Sequence, residues 1–171
     1  MVGRRTRETE EKLLRELLKN SKKSDRELAR VLKVSQPTIS RMRVKLEKNK
    51  LIQEYTIVPD LVKLGYEILA INTYSTPESP GIEKKASEMT NSWPCVLFAA
   101  RVDGMGKNGI MISLHKNYED CANFARAVKM VGEGIITQTE TMLISLKGFI
   151  PKPFSLKHLA KALETEEDKE T

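Results

Sequence analysis

The chain has 171 residues, of which 40% are hydrophobic and 30% charged, a composition typical of a globular protein. It contains no apolar run of the roughly 18 residues that a membrane-spanning helix needs, and the first residues do not resemble a secretory signal, so we expect a cytoplasmic protein without a membrane partner. Cys95 and Cys121 lie far apart among apolar residues, which predicts two buried, reduced thiols. His115 and His158 have no clustered donors beside them, so we expect no metal and no cofactor.

The net charge of +6 is unevenly distributed along the chain. Residues 1–64 hold 17 Lys and Arg against 9 Asp and Glu, a net charge of +8. Residues 65–171 hold 12 against 14, a net charge of −2. A basic excess confined to one half predicts a polyanionic partner for that half, and nucleic acid is the obvious candidate.

Two short helices are predicted near the start of the chain. A helix is expected over residues 6–20, with Thr6 as its cap, because leucines recur there at helical spacing. These leucines are Leu13, Leu14, Leu17 and Leu18. Ser24 and Glu27 have the S-x-x-E spacing of a capping box, which predicts that a second helix begins at Ser24. Its inward face is expected to comprise Leu28, Ala29, Val31 and Leu32.

A third helix is predicted after Ser35, which would cap it, with Pro37 in the first turn, where a missing N–H costs nothing. Its buried stripe, counted at about 100° per residue, comprises Ile39, Met42 and Leu46. Arg43 falls at the edge of that stripe and is expected to extend its guanidinium to solvent rather than to contact bases. The residues predicted to face DNA are Ser35, Gln36, Pro37, Thr38, Ser40, Arg41, Val44, Lys45 and Lys48.

This outward set has the chemistry of a DNA-reading surface. Gln bonds adenine bidentately and Arg bonds guanine, while Thr, Val and Pro contact a thymine methyl group and the lysines suit phosphate. Two short helices joined by a tight turn are typical of a helix-turn-helix, whose second helix enters the major groove. The alternative interpretation is a helix face that is merely solvated.

Residues 51–58 alternate loosely and are rich in β-formers, which predicts the strand of a wing. Residues 1–58 are therefore predicted to form a winged helix-turn-helix DNA-binding domain. Residues 59–65, which begin with Pro-Asp, are predicted to form the linker that follows it.

The second half of the chain is predicted to have the element order βαββαβ. Strands are expected at 66–74, 95–102, 110–115 and 135–146, and helices at 82–92 and 118–131. This order indicates a ferredoxin-like domain over residues 66–150, with both helices on one face of a four-stranded antiparallel sheet, and places the chain in the α+β class. Residues 151–171 are predicted to form a C-terminal helical extension. Its apolar face is expected to pack on its own domain or on a neighbouring subunit.

A winged helix-turn-helix followed by βαββαβ resembles the arrangement of the Lrp/AsnC, or feast/famine, regulators. The resemblance covers most of residues 8–148 and is strongest in VSQPTISRMRVKLEKNKLIQEYTIV, which is similar to that family's recognition helix and wing. It implies a transcriptional regulator that binds double-stranded DNA, forms homodimers or higher oligomers (often octamers) and responds to a small effector, usually an amino acid. Paired recognition helices predict pseudo-palindromic sites with half-sites about one helical turn apart.

The chain departs from the family pattern at three places. Residues 42–43 are Met-Arg, where the family has an Arg followed by an apolar residue. Lys50 replaces a Gly, so Asn49 is expected to take the left-handed conformation there. Family members that bind amino acids carry a Gly-x-x-Asp hairpin. In the present hairpin, residues 103–109, Gly104 aligns with that Gly, so Lys107 falls at the Asp, and Asn108 takes this position only with a one-residue shift. The effector-binding residues predicted around this hairpin are Arg101, Asp103, Gly104, Gly106 and Asn108.

Three rival functions remain open. Residues 104–109 also spell G-x-G-x-x-G, but a dinucleotide fingerprint must open a helix, and this segment is predicted to lead into a strand. Sirohaem decarboxylases resemble the same family, and Arg101 with His115 is a faint catalytic constellation. A solvated His at the end of a strand is the simpler interpretation, and we predict no catalytic residue. The third rival is a protein that coats DNA without sequence preference.

Overall fold

The computed structural model describes residues 2–77, 79–133 and 135–167. It contains two compact units: unit 1 combines the residues up to Val58 with those from Lys152 onward, and unit 2 spans Pro59–Pro151. In chain order the described residues form α1 (Val2–Lys19), α2 (Asp25–Leu32), α3 (Gln36–Lys48), β1 (Ile68–Ser75), α4 (Ile82–Asn91), β2 (Val96–Gly104), β3 (Lys107–His115), α5 (Tyr118–Val131), β4 (Gln138–Ser145) and α6 (Lys157–Glu167). None of the described helices is long and apolar enough to cross a membrane.

Local capping signals position α2 within unit 1. The backbone N–H of Ser24 donates to Glu27 Oε2 at 2.7 Å, and the N–H of Glu27 donates to Ser24 Oγ at 3.3 Å, so the predicted capping box is confirmed. By contrast, α1 begins at Val2 and runs through Thr6, so the prediction that Thr6 caps this helix is wrong. Val31 was predicted to face inward but is exposed.

The core of unit 1 lies between its first three helices. Leu13, Leu28 and Ile39 are fully buried, one from each helix, and Met42 packs against them from the side of α3. The helices thus bury the apolar stripes that their periodicity predicts.

The turn after α3 has the left-handed residue at Lys50 and not at Asn49, so the prediction for Asn49 is wrong. The N–H of Lys50 bonds Glu47 O at 2.9 Å, and the N–H of Leu51 bonds Leu46 O at 2.9 Å. This pair of bonds is a Schellman motif, in which the residue after the C-cap takes the left-handed conformation.

The predicted wing strand is absent, because residues 51–58 form no strand in the structure. A strand is stabilised by hydrogen bonds to a neighbouring strand, and the described part of the chain gives this segment no such neighbour. Its β-forming residues therefore join no sheet.

Unit 2 has the predicted βαββαβ order and a four-stranded antiparallel sheet with strand order β2-β3-β1-β4. Tyr74 and Met111 lie in the core on one face, against Val128 and Phe124 of α5. The strands begin later or earlier than predicted: β3 starts at Lys107 rather than at residue 110, and β4 at residue 138 rather than at 135. The earlier start of β3 follows from a tighter hairpin before it.

The C-terminal helix α6 packs on α1 of unit 1. Ala160 is buried there, and the Lys19 ammonium lies 2.6 Å from Glu164 Oε1. The helix therefore packs on unit 1 and not on the ferredoxin-like domain that precedes it, while packing on a neighbouring subunit stays a prediction. Helical periodicity indicates which face of a helix is apolar, but not which surface will cover it. Residues 168–171 of the predicted extension lie outside the described residues.

Candidate nucleic-acid interface and effector groove

The start of α3 is shaped by its cap. Ser35 Oγ accepts a hydrogen bond from the N–H of Thr38 at 3.4 Å and lies 2.7 Å from Thr38 Oγ1. Pro37 follows as the second helical residue, where no intrahelical bond is lost. The hydroxyls of Ser35 and Thr38 thus hydrogen-bond to each other. Ser35 is exposed and Thr38 is half-buried.

Five of the predicted DNA-facing side chains form one exposed strip on α3. Val44 is 60% exposed, and Arg41 donates through Nε to Pro37 O at 3.2 Å, which leaves its terminal guanidinium nitrogens available. The members of the strip are Gln36, Pro37, Arg41, Val44 and Lys48. The strip therefore offers guanidinium, apolar and ammonium groups along one side of α3, with the Gln36 amide on the flank of its first turn.

Two other predicted DNA-facing residues contact neighbouring helices instead. Ser40 donates to Asp25 Oδ2 on α2 at 2.6 Å, and the Lys45 ammonium lies 2.6 Å from Glu10 Oε1 on α1. Both lie on flanks of α3, about 100–120° from Ile39. Ser40 is half-buried there, whereas the Lys45 side chain is 54% exposed, and contact of either residue with DNA stays a prediction.

A network of charged side chains that the sequence did not reveal lies beside this strip. The Arg43 guanidinium donates to Asp25 Oδ1 from Nη2 at 2.8 Å and from Nε at 3.0 Å. Its Nη1 donates to the Tyr55 hydroxyl at 3.2 Å, and that hydroxyl donates to Glu47 Oε1 at 2.8 Å. An acidic residue such as Asp25 is common in the first turn of a helix because it interacts favourably with the helix dipole. Its presence there therefore gives no sign of a contact with Arg43, eighteen positions away.

The hairpin between β2 and β3 is narrower than predicted. Its two central residues are Met105 and Gly106, with φ of 55° and 70°, as a type I′ turn requires. The remaining residues of the predicted hairpin, including Asp103 and Lys107, belong to the strands. The G-x-G-x-x-G segment leads into β3, as predicted, and not into a helix.

An open groove of about 570 Å³ lies between α4 and β2. Arg101 and Asn108 line it, whereas Asp103, Gly104 and Gly106 do not. The structure thus brings together two of the five predicted effector residues. The Arg101 guanidinium pairs with Glu83 at 3.0 Å.

Asn108 is tied to the residue that follows β1. Its Nδ2 donates to Thr76 O at 2.8 Å, and its Oδ1 accepts from Thr76 N at 2.8 Å. Lys107, at the position of the family Asp, is buried, and its ammonium lies 3.2 Å from Glu140 Oε1. The hairpin therefore carries a buried cation where the family pattern has an acid.

His115 is almost fully buried, so its predicted solvated position is wrong. Its Nε2 lies 2.9 Å from Ser113 Oγ and its ring 5.1 Å from that of Phe124. Burial lowers the pKa of His115, against the opposing charge of Asp120. In the sheet, Arg101 on β2 lies opposite Gly109 on β3. Gly109 and His115 are six residues apart along β3, a distance of about 20 Å at the rise of a strand. The faint catalytic constellation is therefore not assembled.

The two cysteines are free thiols, Cys121 buried and Cys95 half-buried, and burial raises the pKa of both. Among the described residues, no group of three or more His, Cys, Asp or Glu side chains is placed to hold a metal ion.

The fold and this surface define a helix-turn-helix DNA-binding protein with a ferredoxin-like domain. A family model described as winged helix-turn-helix DNA-binding matches residues 6–53. Over 114 residues the chain is 32% identical to the HTH-type transcriptional regulator PH0061 of Pyrococcus horikoshii. This alignment covers 65% of the present chain and 74% of PH0061. The chain belongs to the Lrp/AsnC family of transcriptional regulators, as its sequence predicts.

Solved structures share most of this fold. The crystal structure of PH0061 has a TM-score of 0.74 at 27% identity and covers 86% of this chain and 95% of that one. LrpC of B. subtilis has a TM-score of 0.70 at 23% identity, covering 84% and 96%. The regulator NMB0573 of Neisseria meningitidis, solved as a complex with L-Met, has a TM-score of 0.73 at 15% identity, covering 88% and 97%.

Proposed function

We propose that this regulator binds specific duplex DNA sequences through the exposed strip of α3. The observation that carries the proposal is the availability of its donors: among the described residues, Gln36, Arg41 and Lys48 have no side-chain partner on another helix. Arg41 and Gln36 suit guanine and adenine, and Val44 suits a thymine methyl group. Lys48 suits phosphate.

The basic surface extends beyond α3. Arg26, Arg30 and Lys33, on α2 and in the turn after it, are exposed. In a helix-turn-helix the first helix crosses the DNA backbone while the second enters the groove. We assign these three cations to phosphate contacts. The Ser40 hydroxyl proton is used on Asp25, whereas the Lys45 ammonium has two further N–H donors for phosphate beside its contact with Glu10.

Selection of bound sequences from a random duplex pool tests the proposal. Arg41→Ala should weaken binding to the selected site about 5–100-fold while leaving random duplex less affected, because it removes a base contact. Lys48→Ala should weaken both alike and reduce the salt slope by about one. No binding at low salt would contradict the proposal, and equal affinity for scrambled DNA would support the coating alternative.

We also propose that unit 2 forms homodimers, and from them higher oligomers, through the sheet face opposite Tyr74. One apolar residue of every strand lies in a single row across that face, because Phe98 pairs with Ile112, Ile112 with Ile71, and Ile71 with Met142. Phe98 and Met142 are 52% and 59% exposed. A second copy of the chain would cover this row and present two recognition helices to a pseudo-palindromic site.

Light scattering of the purified protein tests the dimer. Met142→Glu should shift the protein towards monomers and weaken binding to the selected site, because it places a charge in the apolar row. Met130→Glu is the matched control, since Met130 is an exposed Met on α5 outside the row. A wild-type monomer, or equal behaviour of the two variants, would contradict the dimer.

We further propose that a small carboxylate effector binds in the groove beside β2. The Arg101 guanidinium lines the groove, and the ion pair of 3.0 Å that it makes with Glu83 is exposed on both sides. A relative in fold is known with L-Met bound. Thermal unfolding should therefore shift upward with one or more amino acids, L-Met first, and Arg101→Gln should abolish the shift. If none of the twenty amino acids shifted the unfolding temperature, the proposed amino-acid effector would be contradicted, and the groove would bind a ligand of another class or none.

The comparisons favour regulation over catalysis. The relatives identified by sequence are transcriptional regulators, and Arg101 and His115 are far apart on the sheet. We therefore infer that the protein is not an enzyme and acts in the cytoplasm, where its DNA partner lies. A tetrapyrrole chromophore bound on purification would support the decarboxylase alternative instead.

A further inference from the structure

One carboxylate joins the start of α2 to the middle of α3. Asp25 accepts a hydrogen bond from Ser40 through Oδ2 and two from Arg43 through Oδ1. The hydrogen bond from Ser40, followed by those from Arg43, holds the pKa of Asp25 below its ordinary value. The carboxylate is thus charged at neutral pH, and both of its oxygens are engaged by α3.

These bonds constrain α3 in a way that its apolar contacts do not. Ile39 and Leu46 press α3 against the other helices, but apolar contacts have little directional preference. Hydrogen bonds are directional, and Ser40 and Arg43, three positions apart, lie on the same side of α3. Two attachment points on one side fix both the rotation of the helix about its axis and its position along that axis.

Arg43 uses each of its three guanidinium nitrogens in the same network. Its third donor reaches the Tyr55 hydroxyl, and its guanidinium carbon lies 5.8 Å from the centre of the Tyr55 ring. Its side chain is only 19% exposed. Tyr55 in turn bonds Glu47, one turn further along α3. The network therefore also attaches the segment after α3 to the outer side of the helix.

We infer that Asp25 is a positioning residue for DNA recognition: it sets the rotation of α3 that presents Gln36, Arg41 and Val44 to the bases. The inference rests on the proposed reading of bases by α3. DNA phosphates repel a carboxylate, and both oxygens of Asp25 are already occupied. Asp25 therefore acts on specificity through α3 and not through contact with DNA.

Asp25→Asn tests the inference, with Glu27→Gln as a matched control. Both substitutions keep the shape of the side chain and remove one negative charge from the first turn of α2. Glu27, however, hydrogen-bonds to Ser24 and not to α3. Any general effect of the lost charge is thus common to both variants, whereas weakening of the bonds to Ser40 and Arg43 on α3 is confined to Asp25→Asn.

The readout is the ratio of affinities for a selected duplex and a random duplex, measured over a range of salt concentrations. Asp25→Asn should lower this ratio about tenfold, the value of one misplaced base contact. It should also steepen the salt dependence of random-duplex binding by up to about one counterion, because Asn no longer neutralises the positive charge of Arg43. Glu27→Gln should stay within about twofold of the wild-type ratio, since Gln also closes a capping box.

Equal ratios for Asp25→Asn and the wild type would overturn the inference. A wild-type ratio near one would instead remove the proposed reading of bases, and this inference with it. The two failures are therefore distinguishable in one experiment.

Arg43→Lys is the second variant, because Lys keeps the charge but cannot bond Asp25 and Tyr55 in one fork. If Asp25 and Arg43 both act through the position of α3, the variant with both substitutions should have the same affinity ratio as the less specific of the two single variants. Additive losses would show that Arg43 reads DNA by itself and would overturn the inference. Should Asp25→Asn fail to fold, an unchanged ratio for Arg43→Lys would overturn it equally.

Discussion

Ile39 allows a direct test of how unit 1 is held together. Its side chain is fully buried among Leu13, Leu28 and Leu46, whereas Val44, five positions on in the same helix, is 60% exposed. Both residues are β-branched, so replacement by Ala changes their helix propensity in a similar way. The two variants therefore separate the effect of burial from that of propensity.

The expected loss can be worked from the buried groups. Ile39→Ala removes three buried carbons, worth about 2.4 kcal/mol at ~0.8 kcal/mol per CH₂, and the remaining cavity adds to this within the usual range of about 2–5 kcal/mol. The better helix propensity of Ala returns about 0.5 kcal/mol. We expect a net loss of about 3 kcal/mol, a large part of the ~5–15 kcal/mol of a typical domain. Val44→Ala should change stability by less than about 0.5 kcal/mol.

Urea unfolding followed by circular dichroism measures the loss, because unit 1 contains most of the helical residues. Ile39→Ala should shift the midpoint of that unit to lower urea and leave DNA specificity unchanged wherever the unit is folded. Val44→Ala should leave the midpoint unchanged and lower DNA specificity, since the methyl groups of Val44 are available to bases. A loss below about 1 kcal/mol for Ile39→Ala, or an equal loss for both variants, would refute this account of the core.

Three further predictions concern pH and packing. Acidification below the ordinary pKa of histidine should destabilise unit 2, because burial lowers the pKa of His115 and the unfolded chain takes up the proton first. The free energy of unfolding should fall by at most about 1.4 kcal/mol per pH unit, and this dependence should be lost in His115→Gln. Gly109→Ala should cost about 1–3 kcal/mol by thermal unfolding, since a Cβ there would lie 2.1 Å from Tyr74 Cε2, and Tyr74→Leu should make that cost smaller. Ala160→Leu should destabilise unit 1 by about 1–3 kcal/mol, whereas Ala162→Leu, on the exposed side of α6, should not; equal effects would contradict the packing of α6 on α1.

Local signals predicted the elements well. The capping box of Ser24 and Glu27 and the cap at Ser35 each act within a single turn, so they are legible in a few residues of sequence. The bounds of α5 coincide with the predicted helix at residues 118–131. The order of strands and helices in unit 2 likewise followed from hydrophobic patterning alone.

The flanks of α3 were not predictable in the same way. Counting 100° per residue measures how far Ser40 and Lys45 lie from the buried stripe, but it does not show that α2 and α1 cover those flanks. The partnership of Asp25 with Arg43 joins residues that no spacing rule connects. The sequence thus predicted the five residues of the strip that are exposed on α3, while the contacts that support them were not predictable.

By itself, the sequence determined the type and order of the elements, the basic character of the first half and the apolar stripe of each helix, because propensity, capping and periodicity act between residues near in the chain. The tertiary structure alone decided that residues 51–58 form no strand, that α6 returns to α1 and that His115 is buried. Each of these outcomes depends on which surface a segment meets, and residues far apart in sequence supply that surface.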